Sequence, residues 1–553
     1  MQSHQISYRE TGFVSKLICD LFQGNTQLKA FYGNSPSIDD FKTQLLAKQD
    51  TFSQDQRSVL VCSLISQYGN LLEKDSLVSD HINSLSKPNT FTITTGHQLN
   101  LMTGPIYFLY KIISILNLCK TLKKSHPDHN FVPIFWMATE DHDFEETSFF
   151  NFKNKNFKWD RDKAGAVGRF SLEGLGPLFD LFQKELGNSS AAEEIKNLIQ
   201  ISYSTSTSLS EATRKLVHEL FKDEGLVIID GDNRSLKELF IPKMKEELLL
   251  STCQVNVEKT ITKIQSDYDS SYLPQVNPRE INLFYLTQND RLRIVRTTTG
   301  FSDADNKITW TNDELLRLLD QTPEFFSPNV LMRPLYQEAI LPNLCYIGGG
   351  GELAYWLELK DYFASQNIPF PILLHRNAAV LVPKKIAKQL DSLNLKSEDL
   401  FLKRSSLINK KVRQISNIDL DLQSFKQTLE VQFQELEALV MQTDPSFEGA
   451  VKAQRAKQFK GIDNLEHRLL KAQKKKLREK RDALSGCARG AAGCSIVLRL
   501  GASVTEGARL ARVDVGVGRR VGSKKSRKAE IARRLLLLRL RLASGAVVAR
   551  RSG

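Results

Sequence analysis

The sequence predicts an α/β protein in which a parallel sheet is surrounded by helices and followed by a long helical hairpin. Three observations support this fold class. Short apolar, β-branched runs alternate with helical stretches over most of the chain, as in parallel sheets. Several runs end abruptly in polar turns, most clearly in residues 131–146, FVPIFWMATEDHDFEE. Between residues 418 and 483, apolar residues instead recur every three or four positions, which indicates helices.

Length and composition are those of an ordinary soluble protein. At 553 residues the chain is too long for one core, and roughly 150 residues per domain gives about three or four units. The N-terminus lacks a signal-peptide pattern, and no apolar run reaches the roughly 18 residues that cross a bilayer, so we expect a cytoplasmic protein without membrane contact. The seven cysteines are scattered without CxxC or zinc-ligand spacing, which predicts free thiols.

The net charge of +13 comes from the last part of the chain. Residues 486–553 carry 16 Lys and Arg against three acids, so residues 1–485 hold 60 charges of each sign. This segment contains no aromatic residue, His, Asn, Gln, Pro or Met, and it begins in the middle of a predicted helix. We interpret it as an anomalous basic tail or an out-of-frame reading. Because the body is neutral, nucleic acid is not an expected partner.

The first part of the chain predicts a βαβ unit that follows a helical region. Residues 1–87 have the pattern of helices. Residues 89–95 predict a β-branched strand, residues 106–124 a helix, and residues 131–137 a strand buried on both faces. The helix begins after Gly104-Pro105, since proline is favoured in a first turn. We expect a right-handed crossover between the two strands.

Residues 147–326 predict further core elements together with insertions. The stretch FFNFKNKNFKWDRDK could stack its rings on nucleic-acid bases, but we favour a β-ribbon at the edge of the fold. Helices are expected between residues 177 and 222, and a buried strand at 225–230. A hairpin is expected between residues 280 and 298, around the turn QND.

The rest of the pattern adds two strands and the helical hairpin. Residues 344–347 and 372–374 predict strands, and a helix opens at Glu352 after four glycines. Two apolar stripes separated by TDPSFEG predict an antiparallel αα-hairpin, with Asp444 as N-cap and Pro445 at the first helical position. Such stripes can mediate dimerisation or pack on their own core, and both interpretations remain open.

Three polar turns each follow a predicted strand, so they should meet at one edge of the sheet. They are Thr94-Thr95-Gly96-His97-Gln98, Glu140-Asp141-His142-Asp143, and the segment from Gly348 to Glu352. Gly96 permits close approach of a ligand to the backbone, while His97 and Gln98 offer ring and amide hydrogen bonds. The glycine run lacks the Lys-Ser/Thr of a P-loop and the spacing of a dinucleotide motif, so alone it is a weak signal.

The acidic turn is the strongest chemical signal, because four consecutive ionisable side chains after a buried strand are costly to bury. They could hold Mg²⁺, bind a substrate ammonium group, or pair a general base with the group that orients it. They could also form a structural network with Arg333, Lys360 or Arg376. Those cations could equally hold a carboxylate or phosphate of a substrate.

Five segments, read in order, resemble one enzyme family, the bacillithiol biosynthesis cysteine-adding enzymes. They are TTGHQLNLMTGPIYFLYK, PIFWMATEDHDFEE, GLVIIDGDN, SPNVLMRPLYQEAILPNLCYIGGGGELAYWLELK and PILLHRNAAVLV. The resemblance covers about residues 1–485. It implies a Rossmann-like core similar to nucleotidyltransferases, inserted connecting-peptide domains, and a C-terminal antiparallel coiled coil through which homodimers form. The family's glycine turn, often Gly-Gly-Pro-Gly, is Gly348-Gly349-Gly350-Gly351 here.

The resemblance also implies the reaction, in which the carboxyl of cysteine is joined to the amine of glucosaminyl-malate. An amide does not form in water without activation, so we expect ATP with Mg²⁺ to activate cysteine as an adenylate or phosphate. No tightly bound cofactor and no protein-bound metal are predicted. The predicted catalytic residues are Asp141, His142, Asp143 and His97. The predicted substrate- and nucleotide-binding residues are Thr95, Gly96, Gln98, Glu140, Arg333, Gly348, Gly349, Gly351, Glu352, His375 and Arg376.

Each of the three groups of residues has an expected task. The turn with Gly96, His97 and Gln98 would contact the nucleotide or the activated carboxyl. The acidic turn would orient the incoming amine and accept its proton. Arg333 and Arg376 would bind the malate carboxylates.

The sequence also predicts five regions, and two alternative functions remain open. The regions are 1–146 (N-terminal helices and first half of the core), 147–326 (core continuation with connecting-peptide insertions), 327–400 (second half of the core), 401–485 (coiled-coil hairpin) and 486–553 (basic tail). The rivals are a metal-dependent hydrolase that uses the acidic turn, and a non-catalytic coiled-coil scaffold.

Overall fold

A computed structural model gives the structure of the chain. It describes residues 6–153, 155–161, 165–380, 382, 384–415, 422–442 and 445–476. The basic tail and the N-cap predicted at Asp444 therefore lie outside the described residues.

Helices dominate the described ranges, and none of them there is both long enough and apolar enough to cross a membrane. They are α1 (Tyr8–Thr11), α2 (Lys16–Phe22), α3 (Ile38–Thr51), α4 (Gln54–Tyr68), α5 (Leu77–Ser84), α6 (Tyr107–Ser125), α7 (Phe144–Thr147), α8 (Leu175–Leu186), α9 (Ser190–Ser202), α10 (Leu209–Phe221), α11 (Arg234–Glu238), α12 (Ile241–Leu250), α13 (Thr252–Asp267), α14 (Asn312–Gln321), α15 (Arg333–Ile340), α16 (Gly350–Glu358), α17 (Lys360–Ser365), α18 (Lys384–Ser392), α19 (Arg404–Ile415), α20 (Gln423–Val440) and α21 (Glu448–Lys476).

The strands form a parallel sheet, an antiparallel sheet and a two-stranded ribbon. They are β1 (Thr90–His97), β2 (Asn130–Met137), β3 (Phe149–Phe152), β4 (Lys155–Lys158), β5 (Val227–Asp230), β6 (Leu283–Leu286), β7 (Arg291–Thr297), β8 (Gly300–Asp303), β9 (Thr309–Trp310), β10 (Phe326–Pro328), β11 (Asn343–Gly348) and β12 (Ile372–His375).

The described chain forms two compact units. The first comprises residues 14–378, and the second comprises residues 6–13 together with the described residues from 379 to 476. This division falls earlier in the chain than the boundary predicted at residue 400.

The first unit is organised around the parallel sheet, whose strand order is β12-β11-β1-β2-β5. The chain starts at the central strand β1, proceeds outward through β2 and β5, then returns to β11 and β12 on the other side. This is Rossmann-like topology, and the order reverses between β1 and β11. The predicted βαβ unit is confirmed, since α6 connects β1 to β2. Both strands are buried along almost their whole length, as expected for central parallel strands.

Two insertions in the first unit are antiparallel. Strands β3 and β4 form the predicted ribbon, where Phe150 and Phe157 stack at 5.2 Å between ring centroids and pack on Phe182 of α8. These rings are buried in the protein and are not displayed for base stacking. The second insertion is a five-stranded sheet in the order β10-β6-β7-β8-β9, and its β6–β7 pair is the hairpin predicted around QND.

The second unit contains the predicted antiparallel hairpin, made of α20 and α21. Phe433 and Val440 of α20 pack with Val451 of α21, and Lys426 pairs with Asp463 at 2.7 Å, so residue numbers rise on one helix as they fall on the other. Burial of each large apolar side chain contributes about 1.5–3 kcal/mol. Only part of each predicted stripe is buried within the chain; the exposed members include Phe425, Leu436, Phe447 and Leu465.

Candidate active site

The carboxyl ends of β1, β2 and β11 bring the three polar turns to one edge of the parallel sheet. His97 pairs in register with Met137, and the backbone N–H of Ala138 donates to the carbonyl of His97 at 3.0 Å. The Gln98 amide then donates to Asp141 Oδ2 at 2.9 Å, and also to Glu146 Oε2 at 3.0 Å. The turn after β1 is therefore hydrogen-bonded directly to the acidic turn after β2.

Lys111 of α6 lies at the switch point between β1 and β11. Its ammonium donates to the carbonyl of Gly96 at 2.8 Å and forms an ion pair with Glu352. Burial lowers the pKa of Lys111, although Glu352 favours its charged form. Burial alone would raise the pKa of Glu352, but the Lys111 charge and hydrogen bonds from Lys111 and Tyr346 bring it below its ordinary value. The contacts of Lys111 with Gly96 and Glu352 fix the turn after β1 against the start of α16.

His97 is held as a neutral imidazole in this crevice. Its ring lies against Tyr107 and Phe108, with centroids 5.5 and 5.3 Å away. Burial, together with the Lys111 and Arg376 charges, lowers the pKa of His97 to about 3. Its Nε2 atom is buried and has no hydrogen-bond partner among the residues that the structure describes. A buried polar atom of this kind is costly unless something bonds it, so the ring is suited to contact a ligand.

Positively charged side chains outnumber negatively charged ones around Glu352. The Arg376 guanidinium lies over the Tyr107 ring at 4.7 Å, and the Arg376 backbone N–H donates to the Gly348 carbonyl at 2.9 Å. Arg333 lies 5.8 Å from the rings of Trp136 and Tyr346. We call His97, Lys111, Arg333, Glu352 and Arg376 the switch-point cluster. Its three cations and one carboxylate leave two positive charges in excess, which suits an anionic ligand.

The glycine turn leads into α16, and its backbone surrounds Glu352. The Gly349 N–H donates to Glu352 Oε1 at 3.3 Å. A Cβ atom at Gly348 would lie 3.0 Å from the Tyr346 ring and 3.2 Å from Glu352, so packing disfavours a larger residue there. At Gly349 the nearest atom would be at 3.4 Å, and at Gly351 nothing lies within 4 Å. Packing within the protein therefore explains only the first of the three predicted binding glycines.

Two other predicted binding residues, Thr95 and His375, have different side-chain surroundings. The Thr95 hydroxyl donates to the Ile347 carbonyl at 2.7 Å and is fully buried, so this side chain joins β1 to β11 and does not face the crevice. His375 ends β12, with its ring 5.8 Å from that of Phe22. Burial and the Arg376 charge lower the pKa of His375 to about 4, so its ring is neutral as well.

The acidic turn is more exposed and carries the opposite charge. His142 has Asp141 Oδ1 3.6 Å from its Nδ1 and Asp143 Oδ1 3.9 Å from its Nε2. Arg291 of β7 approaches the same ring, with its Nη1 atom 3.1 Å from Nδ1. Burial alone would raise the pKa of Asp141, but hydrogen bonds from His142 and Gln98 and the Arg291 charge lower it to about 2. The pKa of Asp143 is raised by burial and by the neighbouring Asp141 and Glu146 charges.

The acidic turn also brings potential metal ligands together. Potential ligand atoms of Asp141, His142 and Asp143 lie within 4.8 Å of one another. However, the guanidinium of Arg291 already contacts Nδ1, so a metal ion at that nitrogen would have to displace a cation and lie beside it. The donor set therefore does not fit a metal bound through Nδ1, and the arrangement favours hydrogen bonding.

Glu140 belongs to a structural ion network. Its carboxylate accepts from Lys237 Nζ at 2.6 Å, and Lys237 also lies 3.3 Å from Asp232. Asp232 in turn pairs with Arg169 Nε at 2.7 Å. The Lys237 side chain is 1% exposed, so this network stabilises the turn from within the unit. The structural partners proposed from the sequence, Arg333, Lys360 and Arg376, are wrong for this turn, where Lys237 and Arg291 take that place.

Lys111, Lys237 and Arg291 were not among the residues predicted from the sequence. Lys111 had a usable signal, because it is a cation on the face of α6 that also carries Phe108 and Ile112, both buried. Lys237 and Arg291 reach the turn from elements distant in sequence, and no local pattern links them to it.

Comparison with known proteins supports the two-part organisation. The family model described as "Bacillithiol biosynthesis BshC, N-terminal Rossmann-like domain" matches residues 1–377, and the one described as "Bacillithiol biosynthesis BshC, C-terminal coiled-coil domain" matches residues 379–485. Residues 486–553 lie outside both matched ranges.

Similar full-length relatives come from several bacteria, each under the name "Putative cysteine ligase BshC". The chain is 50% identical to the protein of Flavobacterium johnsoniae over 86% of this chain and 89% of the relative. It is 50% identical to that of Flavobacterium psychrophilum, over 87% and 90%. For Christiangramia forsetii the identity is 48%, over 87% and 89%. The chain therefore belongs to the bacillithiol biosynthesis BshC family.

Proposed function

We propose that this protein is a ligase of bacillithiol biosynthesis that joins the carboxyl of cysteine to the amine of glucosaminyl-malate. The observation that carries the proposal is the switch-point cluster, with its excess of positive charge and the unpartnered Nε2 of His97. In open α/β sheets, ligands bind outside the carboxyl ends of the strands at this position. Membership of the family, whose members are named as cysteine ligases, supplies the reaction class.

The switch-point cluster is suited to the acidic parts of the substrates. Arg333 lies beside the Tyr346 ring of β11, and the Arg376 backbone N–H donates to Gly348 at the end of that strand; each guanidinium can bind a carboxylate. The neutral His97 ring can hydrogen-bond to an oxygen of the cysteine carboxyl or its activated form without adding charge. Gly96 leaves space beside the backbone, since a Cβ atom there would have no neighbour closer than 3.5 Å.

The acidic turn is suited to the amine. An ammonium group is stabilised near Asp141 and Asp143, and it must lose a proton before its nitrogen can attack a carboxyl carbon. The N–C bond then forms as the leaving group departs from that carbon with its bonding electrons. Gln98 bridges the two parts of the site through Asp141, so both substrates can be aligned on one hydrogen-bonded frame.

ATP with Mg²⁺ is the proposed second substrate, and it would convert the cysteine carboxyl into a form with a good leaving group. Cations of the switch-point cluster would bind phosphate oxygens as readily as carboxylates. No residue is assigned to hold Mg²⁺, because the acidic turn does not fit a metal through His142 Nδ1.

Product formation tests the proposed reaction directly. The full chain would be incubated with cysteine and glucosaminyl-malate, with and without ATP and Mg²⁺, and bacillithiol measured by mass spectrometry. We expect formation only with all components. Product formed equally well without ATP would contradict the activation step, and no product under any condition would contradict the proposed reaction.

A double variant tests the role of the acidic turn. Asp141→Asn with His142→Ala should reduce bacillithiol formation by about a hundredfold or more, because it removes a carboxylate that stabilises the ammonium group and the ring that lies between the two aspartates. The matched control is Asp160→Asn, whose side chain is 88% exposed and lies in the ribbon region. Near-normal turnover of the double variant would remove this turn from the chemistry.

We also propose that the hairpin mediates homodimerisation. Leu436, Phe447 and Leu465 are exposed in the single chain, and apolar residues at helical spacing commonly pack against a partner helix. Light scattering coupled to size-exclusion chromatography should give the mass of a dimer for the wild type and that of a monomer for Leu436→Glu with Leu465→Glu. A monomeric wild type at micromolar concentration would contradict this proposal.

A further inference from the structure

The inserted antiparallel sheet contributes one side chain to the acidic turn, Arg291. Its Nη1 atom lies 3.1 Å from Nδ1 of His142, within hydrogen-bond distance. The ring of His142 also lies 6.1 Å from that of Phe284 of β6, so the imidazole lies against this sheet. A connection between a core turn and an inserted domain suggests a role in organising the reacting groups.

The chemistry of the two groups fixes the direction of this hydrogen bond. A guanidinium is always protonated in proteins and can only donate. Nδ1 of His142 must therefore accept, so it carries no proton. In a neutral imidazole with an accepting Nδ1, the proton is on Nε2. The competing state, an imidazolium whose Nδ1–H faces Asp141 Oδ1 at 3.6 Å, would place two cationic groups 3.1 Å apart.

Arg291 cannot easily move away from His142, because other contacts hold it. Its Nη2 atom donates to Ser327 Oγ at 3.2 Å and to the Pro328 carbonyl at 3.0 Å, both on β10. The guanidinium carbon lies 4.0 Å from the centre of the Phe284 ring. Three neighbouring strands of the inserted sheet thus fix the guanidinium before any substrate binds.

We propose that Arg291 is a positioning residue that holds His142 as the neutral Nε2–H tautomer, so that Asp143, and not His142, accepts the proton of the amine. This inference rests on the proposed function. With Nδ1 occupied and Nε2 protonated, His142 has no free lone pair for a proton. The Nε2 atom lies on the side of Asp143, 3.9 Å from its Oδ1, so the ring presents a proton and not a lone pair toward that carboxylate. The amine proton passes to Asp143 as the N–C bond forms.

The charges around His142 are consistent with Asp143, and not His142, as the proton acceptor. Asp141 and Asp143 flank the ring from its own turn, Arg291 faces it from β7, and Glu140 and Glu146 act on the same groups from farther along the turn. Asp141 accepts hydrogen bonds from the Gln98 amide at 2.9 Å and from the His142 backbone N–H at 2.8 Å, which makes its carboxylate a weak base. Asp143 has a raised pKa, which makes it the better proton acceptor of the two.

The tautomer can be measured without reference to activity. The full chain would be labelled with ¹⁵N-histidine, and the ring signals of His142 among the nine histidines would be assigned by comparison with His142→Gln. At neutral pH we expect one ring nitrogen without a proton and one with, the latter coupled to Hε1 and Hδ2 in the pattern of Nε2–H. A doubly protonated ring, or a proton on Nδ1, would overturn the proposal.

Arg291→Gln should change the ring signals of His142 toward the Nδ1–H or doubly protonated form, and should lower kcat by at least about tenfold with KM within about twofold. Arg291→Lys should restore little of the wild-type kcat or of the His142 ring signals, because an ammonium group cannot contact Ser327, Pro328 and His142 together. The matched control is Arg296→Gln in the same strand; its guanidinium donates to Glu280 at 3.0 Å and to the Leu248 carbonyl at 2.6 Å, away from His142, and the variant should change neither readout. Unchanged ring signals in Arg291→Gln would overturn the proposal.

Activity separates this inference from the proposed function. If Asp143→Asn retains near-normal kcat in an active enzyme, the assignment of Asp143 as proton acceptor is overturned. If the wild type shows the expected tautomer but forms no bacillithiol, the proposed function fails, while the positioning of His142 by Arg291 is supported by the spectra alone.

Discussion

The switch-point cluster and the acidic turn lie at the same edge of one sheet but are built in opposite ways. The cluster is half-buried around a buried Lys111 and carries an excess of positive charge around Glu352. The acidic turn is anionic, and the His142 side chain is 49% exposed. The difference follows from what covers each strand end: α6 supplies Lys111 to the first, whereas the turn after β2 is contacted by Arg291 of the inserted sheet and by Lys237 of α11.

Burial should decide how strongly each part responds to mutation. Charges in a buried site interact strongly and are costly to leave without a partner, whereas exposed charges are screened by water and salt. The cluster should therefore affect both stability and activity, and the acidic turn mainly activity. The following predictions test this contrast, in order of decreasing effect.

Lys111→Met should have the largest effect on stability. It leaves the Glu352 carboxylate without its cation in a buried site, which typically costs about 3 kcal/mol. Denaturant unfolding followed by tryptophan fluorescence measures this loss in the first unit, since all four tryptophans, Trp136, Trp159, Trp310 and Trp356, lie within residues 14–378. Bacillithiol formation should be lost as well.

Two further variants define the cause of the loss. Lys120→Met, in the same helix, removes an exposed partner of Glu224 and should cost less than about 1 kcal/mol. Adding Glu352→Gln to Lys111→Met should restore part of the stability, because no buried charge then remains unpaired. Equal losses for Lys111→Met and Lys120→Met would contradict the difference between the buried and exposed regions.

His97→Gln should change how stability depends on pH. The pKa of His97 is about 3 in the folded protein and near its ordinary value of 6.5 in the unfolded chain. Below pH 6.5 the unfolded chain therefore binds a proton that the folded protein excludes until about pH 3, so stability falls as pH drops through this window. At pH 5 this destabilisation is about 2 kcal/mol, from roughly 1.4 kcal/mol per pH unit.

The measurement is the loss of unfolding free energy between pH 7 and pH 5, again by tryptophan fluorescence. His97→Gln should lose about 2 kcal/mol less than the wild type over this range, because glutamine does not titrate. His375 shifts in the same direction in both proteins, so its contribution cancels. Identical losses in both proteins would show that the His97 ring is not held neutral by folding.

Gly96→Ala should have the smallest effect on the fold and a specific effect on binding. The nearest atoms to an added Cβ are the Tyr346 hydroxyl at 3.5 Å and Trp136 at 3.6 Å, which are ordinary contacts. A ligand that approaches the backbone at this point would collide with the methyl group. We expect kcat/KM to fall by about tenfold, equivalent to about 1.4 kcal/mol, with unfolding free energy little changed.

Gly176→Ala, in the first turn of α8 and outside the predicted site, is the control for this prediction. Its added Cβ would have no atom within 4 Å, so neither stability nor kcat/KM should change appreciably. If Gly96→Ala keeps full activity, no ligand approaches the backbone of β1 there, and the binding site must lie farther from this strand.

The parallel core was predictable because its strands are buried on both faces. Residues 131–137 are a continuous apolar run, and residues 89–95 are rich in β-branched side chains; both correspond to strands within two residues at either end. The polar turns were predictable for a related reason, since ionisable groups directly after such a strand must lie at its end. The hairpin over α20 and α21 followed from its helical spacing.

The partners of the site residues were much less predictable. Glu140 and His142 were identified from their position after β2, but Lys237 and Arg291 reach them from elements about 100 and 150 positions away. Thr95 was grouped with the crevice because it precedes Gly96, whereas strand alternation turns its hydroxyl toward Ile347. A side chain's direction and its distant neighbours depend on packing between elements.

The sequence by itself determined the class of fold, the positions of the strand ends and the acidic and glycine turns, because these depend on hydrophobicity and residue spacing along the chain. Only the tertiary structure decided the strand order, and with it the switch point at which Lys111 meets Glu352. It also decided that His97 is neutral and that Arg291 donates to His142. The physical reason is that burial and hydrogen bonding between distant segments set the charge and orientation of a side chain, and neither is local in the sequence.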